Sequence, residues 1–141
     1  TKKFGAGKID GWDWFAIQLN NNTEIMIYQV RHPNRKNDYL FGSYIDTKGT
    51  LTKLSPEMFS ITTLDHWKSK KTNITYPSQW KITIPSLNYS LIITPTFNDQ
   101  ELVFNKDNIL NYWEGRSIVS GSHSGNAYVE LAGYQQPAST D

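Results

Sequence analysis

Apolar and polar residues alternate along most of this chain in runs of five to ten residues, and no stretch holds a helical period. The strongest run is Gly11-Trp12-Asp13-Trp14-Phe15-Ala16-Ile17-Gln18-Leu19, followed by the polar Asn20-Asn21-Asn22-Thr23 and then Glu24-Ile25-Met26-Ile27-Tyr28-Gln29-Val30. Both arms are rich in aromatic and β-branched residues, and Asn tolerates the left-handed conformations of a tight turn, so the stretch reads as a β-hairpin. With Asn21-Asn22 as the turn, Leu19 falls opposite Glu24, Phe15 opposite Tyr28 and Asp13 opposite Val30. Side chains alternate faces along a strand. One face then carries Asp13, Phe15, Ile17, Leu19, Met26 and Tyr28, and the other carries Trp12, Trp14, Ala16, Gln18, Ile25 and Ile27. Neither is a clean solvent face, so the hairpin is expected to be covered twice, by its own core and by something outside it.

The rest of the chain repeats the theme. Further strands are expected at Tyr39–Ile45, Thr50–Leu54, Phe59–Leu64, Gln79–Ile84, Tyr89–Thr94, Leu110–Ser120 and Ala127–Tyr134. Polar or Pro- and Gly-bearing turns separate them, and Ser55-Pro56-Glu57 can make no more than a short helical turn. Short strands at this spacing predict an all-β antiparallel sandwich or up-and-down barrel of about eight to ten strands. Thr1–Asp10 reads as a linker from a preceding domain, residues 11–134 as the barrel, and Gln135–Asp141 as a polar tail.

Composition narrows the partners. Fourteen basic and thirteen acidic residues give a net charge of +1, and the short cluster Lys68-Ser69-Lys70-Lys71 reads as a solvated turn, which argues against nucleic acid. The absence of Cys excludes a disulfide, a thiolate metal site and a Cys nucleophile. His32, His66 and His123 lack metal-ligand spacing, so no metal or other cofactor is expected, and only His66 beside Trp67 is kept as a candidate functional group. Aromatic residues make up 13% of the chain, five of them Trp, enough to line an apolar site as well as a core.

Two kinds of carboxylate invite chemistry. Asp13 stands between two indoles; desolvation there would raise its pKa and fit it to act as a general acid. The plainer reading is an Asp at a strand start that accepts a backbone amide. Glu114 and Glu130 lie on facing strands, but a turn centred on Ser124-Gly125 puts Glu130 on the face of Tyr128, Val119 and Trp113, and Glu114 on the other with Tyr112. They are thus not expected to form a carboxylate pair.

Three stretches resemble a known family. They are the hairpin of residues 11–28, then Leu64-Asp65-His66-Trp67 with Tyr76-Pro77 and Trp80, then Tyr112-Trp113-Glu114-Gly115 with Ala127–Tyr134. In order and approximate spacing they are similar to the C-terminal half of the hydroxyneurosporene synthase family, which includes carotenoid 1,2-hydratases and AttH-like lipocalin-type proteins. The resemblance implies a lipocalin-like (calycin-type) β-barrel packed beside an N-terminal lipocalin-like domain of the same protein. It also implies export to the periplasm or cell envelope rather than the cytoplasm. The hairpin before Ala127 is shorter here than the family pattern, and the chain alone is expected to be inactive.

Three functions compete. The first is an enzyme that protonates an isolated alkene of an isoprenoid chain and traps the tertiary cation with water, with Asp13 as general acid. The second is an exported binder of a lipid or other apolar small molecule, beside an ABC transporter. The third is a scaffold whose aromatics are all core and interface. For the first two, Trp12, Trp14, Gln18, Tyr28, Trp67, Trp113, Tyr128 and Glu130 are the candidate ligand-binding residues.

Overall fold

The first hairpin turns through three residues rather than two, and that one residue decides which side of the sheet every neighbour faces. In the computed structural model, which describes residues 10–32, 38–104 and 111–135, β1 (Gly11–Leu19) and β2 (Glu24–Arg31) pair with Trp14 opposite Tyr28 and Asp13 opposite Gln29. The Asn22 N–H donates to the Leu19 carbonyl, and Asn22 takes the left-handed conformation at φ 63°. Leu19 and Thr23 then close a three-residue loop. The expected register was therefore one residue out. Because the side-chain period is two, the slip moves the whole of β2 to the other face. Ile25 and Ile27 join Phe15, Ile17 and Leu19 in the core, while Met26 and Tyr28 join Trp12 and Trp14 on the outside.

The remaining strands are β3 (Tyr39–Ile45), β4 (Leu51–Leu54), β5 (Ser60–Lys68), β6 (Thr75–Ile84), β7 (Tyr89–Pro95), β8 (Glu101–Leu102), β9 (Tyr112–Gly121) and β10 (Gly125–Ala132). They form one antiparallel sheet in the order β4-β3-β2-β1-β10-β9-β7-β6-β5, with β8 added beside β9. Only two single turns of 3-10 helix interrupt the described strands, Pro56–Met58 and Pro85–Leu87, so the all-β expectation holds. The sheet curls as a half-barrel round a single core to which strands from both ends contribute. Among the described residues no helix is long and apolar enough to cross a membrane. The expected linker and tail lie outside the described residues except for Asp10 and Gln135.

β5 runs on to Lys68, past the expected end at Leu64, and β8 is a strand the sequence did not mark; two other differences have local reasons. β6 begins at Thr75, well before Gln79, although Pro77 cannot donate to a ladder. Pro77 sits opposite His66, next to register shifts between Thr63 and His66, so the missing N–H falls where the partner strand is already bulged. The β9–β10 turn is displaced as well. Gly121 adopts φ +95° and lies so close to the Ser90 carbonyl that a Cβ would collide with it. The pairing centres on Ser122, ahead of the expected Ser124-Gly125, and Glu130 comes to lie directly opposite Glu114 rather than Val119.

The interior is filled by side chains. Trp80, Tyr76 and Phe15 are buried with Trp113 and a shell of Ile, Leu and Val. Phe15 meets Trp80 edge-on at 5.4 Å between ring centroids, and Trp80 meets Trp113 at 6.3 Å. Trp113 donates its indole N–H to the Asn98 carbonyl at 2.7 Å. Trp113 is thus a core residue and does not line an open lumen.

Candidate functional site

Most of the candidate ligand-binding residues gather on the convex side of the sheet. Antiparallel partners stand directly opposite one another, so outward side chains line up in rows across the strands. The central row runs Phe41, Tyr28, Trp14, Glu130, Glu114 from β3 to β9. One flanking row is Tyr39, Val30, Trp12, Ala132, Tyr112, and the other is Ser43, Met26, Ala16, Tyr128, Arg116. The second cover expected for the hairpin would therefore lie over a largely aromatic surface with two glutamates in it.

This surface is ordered by its own contacts. The Trp12 indole N–H donates to Glu130 Oε1 at 2.8 Å, which fixes both side chains. The rings of Tyr28 and Phe41 lie 5.1 Å apart and those of Phe41 and Tyr39 5.2 Å apart. The Tyr28 hydroxyl is pushed above its ordinary pKa by burial and by the charge of Glu130. Burial and then Glu114 and Glu130 do the same for Tyr112. For Tyr128 the causes are burial, then the charge of Glu114 and a hydrogen bond to it. Like charges placed directly opposite repel. The cation in the adjoining row, Arg116, gives a guanidinium N–H to Asn126 at 3.2 Å. A cleft of about 650 Å³ opens at one end of the surface, bordered by Trp12, Phe104, Tyr112 and Glu130. That volume is within the range of small-molecule sites.

Asp13 lies on the other side of the sheet. It is buried, accepts from the Arg31 guanidinium at 2.5 Å and from the Tyr134 hydroxyl at 2.7 Å, and has Leu131 opposite on β10. Arg31 also donates to the Ala132 carbonyl at 2.5 Å and stacks over the Tyr134 ring at 4.1 Å. A carboxylate held by a guanidinium is an acceptor in a brace, and a proton donor would need the opposite surroundings. Asp13 is also cut off from Trp12 and Trp14, which project to the convex side.

A second buried carboxylate was not singled out in the sequence. Glu101 on β8 accepts from the hydroxyls of Ser69, Thr72 at 2.5 Å and Tyr76 at 3.0 Å, and so ties the β5–β6 turn to β9. Trp67 stacks on Tyr76 beside this cluster, with centroids 6.3 Å apart, far along the sheet from Trp12 and Trp14. The Tyr76 hydroxyl is driven well above its ordinary pKa by burial, then by the charge of Glu101 and its hydrogen bond. Raised in the folded state, that pKa gives a contribution to stability that is complete below the unfolded value of about 10 and lost as pH rises beyond it. The urea midpoint should therefore fall between about pH 10 and pH 12 more steeply in the native chain than in Tyr76→Phe. Equal slopes would contradict this assignment.

The structure thus brings together Trp12, Trp14, Tyr28, Tyr128 and Glu130, with Gln18 at the far end of β1 on the same convex side. It separates Trp67 and Trp113 from them. It adds Glu114 and Tyr112, which the expected turn at Ser124-Gly125 places on the opposite face from Glu130 and the observed turn brings to the same one. His66 is exposed on β5 and stands apart from this group.

The curled antiparallel sheet and its packed core define a lipocalin-like β-barrel protein. The chain belongs to the AttH-like family, whose sequence model matches residues 1–134. A crystal structure of an AttH candidate from Nitrosomonas europaea superposes with a TM-score of 0.81 at 25% identity, over 95% of this chain and 42% of that one. Kievitone hydratase from Nectria haematococca superposes with a TM-score of 0.72 at 22% identity, over 90% of this chain and 40% of that one. The chain therefore spans well under half the length of both. No curated protein sequence matches it.

Proposed function

We propose that this chain is a ligand-holding lobe whose convex aromatic face, not its interior, receives an apolar small molecule. In a longer protein that face closes against an N-terminal lipocalin-like lobe and serves the hydration of an isolated carbon–carbon double bond. The observation that carries the reading is the central row, in which Glu130 and Glu114 stand side by side among Trp12, Trp14, Tyr28, Tyr112 and Tyr128. Hydration needs a carboxyl group to give a proton to one alkene carbon, forming a C–H bond and a carbocation at the other. Water oxygen then bonds to that carbon, and its proton returns to a carboxylate, so the acid is regenerated. Ring faces lower the energy of the cation between the two steps. The glutamate pair takes the acid–base role in place of Asp13, which is engaged with Arg31.

A fluorescent retinoid titrated into the chain should bind at micromolar levels, and Trp14→Ala should weaken binding by about tenfold. Trp14 is half-buried on the convex side, so the variant should still fold. Flat titrations with both the chain and the longer protein would overturn the reading.

A further inference from the structure

The cleft beside Trp12 has the wrong walls for a purely neutral ligand. Three rings border it, Trp12, Phe104 and Tyr112, and the last two are stacked 5.7 Å apart at 15°. Among them sits the carboxylate of Glu130, and Asp10 adds a second acid at the rim. No Lys or Arg lines the cleft among the described residues. The Trp12 N–H is consumed by Glu130 at 2.8 Å, so the indole has no donor left to offer a ligand. Burial and then the charges of Glu114 and Glu130 push the Tyr112 phenol above its ordinary pKa.

Each part of this arrangement favours positive charge. Ring faces carry the negative side of the aromatic quadrupole, and a carboxylate adds a full charge beside them. A neutral hydrocarbon gains nothing from the carboxylate and must strip water from it. A metal cation needs several oxygen ligands, and the rings occupy the space where they would stand. A cation whose charge is spread over methyl and methylene groups satisfies both the apolar walls and the acid. We propose that this cleft binds an alkylated ammonium group, with Glu130 as counter-ion and Trp12, Tyr112 and Phe104 as the cage. The site goes beyond the reading above, because it concerns a stable cation and needs no second lobe.

Choline and its neutral isostere 3,3-dimethylbutan-1-ol separate charge from shape. Both are titrated into the chain at constant ionic strength, and binding is followed by the Trp12 indole N–H signal. Choline should bind about tenfold more tightly than the alcohol. Glu130→Gln should abolish that preference, and Tyr112→Leu should weaken choline by a similar factor. Unmoved Trp80 and Trp113 signals confirm that each variant is folded. Equal binding of the two probes, no response to choline, or a preference that survives Glu130→Gln would overturn the proposal. Choline binding without retinoid binding sustains this site and removes the hydratase reading; retinoid binding without choline binding does the reverse.

Discussion

Arg31→Met is expected to destabilise the protein by about 3–5 kcal/mol, because it takes away the guanidinium that pairs with the buried Asp13 carboxylate. Both side chains are almost wholly enclosed, at 6% and 10% exposure. The guanidinium also reaches from β2 across β1 to the Ala132 carbonyl on β10 and to the Tyr134 ring. Removing both charges together, with Arg31→Met and Asp13→Leu, should recover much of the loss, since an apolar pair of similar volume can replace a buried ion pair. Urea unfolding of the two variants measures the difference. A cost below about 1 kcal/mol for Arg31→Met would show that the pair is not a brace and would reopen a catalytic role for Asp13.

Trp80→Ala should cost about 3–5 kcal/mol, the usual loss when a large aromatic side chain is deleted from a packed core. Trp80 is 1% exposed and contacts Phe15 from β1 and Trp113 from β9, so its ring joins opposite parts of the curled sheet. The cavity left behind could close only by moving strands that are hydrogen-bonded on both sides. Tyr28→Ala on the convex side removes a half-buried ring with solvent beside it, and should cost far less stability while impairing ligand binding. If Trp80→Ala melts no earlier than Tyr28→Ala, the division between a filled interior and a functional exterior fails.

Strand positions were legible in the sequence because alternation and turn residues are local signals. The faces were not, because a face depends on loop length counted to the single residue. Asn20-Asn21-Asn22 allows a two- or three-residue turn, and the choice moved Tyr28 to the side of Trp12 and Trp14. The position of the β9–β10 turn did the same for Glu114, which its centre at Ser122 brings opposite Glu130. The surroundings of Asp13 were hidden for a related reason. Its flanking indoles are sequence neighbours and therefore point away from it, while its real partners, Arg31 and Tyr134, come from β2 and from beyond β10. Glu101 carries no local mark at all, since its three hydroxyl partners lie on the β5–β6 turn and β6, some thirty residues away in sequence for Ser69 and Thr72. Aromatic content marked no face either, since Trp80 and Trp113 are core while Trp12 and Trp14 lie on the convex side.

Ligand is proposed to bind outside the barrel, and the five Trp residues of the chain can report where it sits. Trp12 and Trp14 project from the convex side, Trp80 and Trp113 are core, and Trp67 stacks on Tyr76 beside the β5–β6 turn. Each indole N–H gives one signal in a nitrogen-15 correlation spectrum, so the retinoid titration can be read residue by residue. The signals of Trp12 and Trp14 should shift with ligand, while those of Trp80 and Trp113 stay fixed. Shifts confined to Trp80 and Trp113, with Trp12 and Trp14 unmoved, would place the ligand inside the barrel and contradict the account.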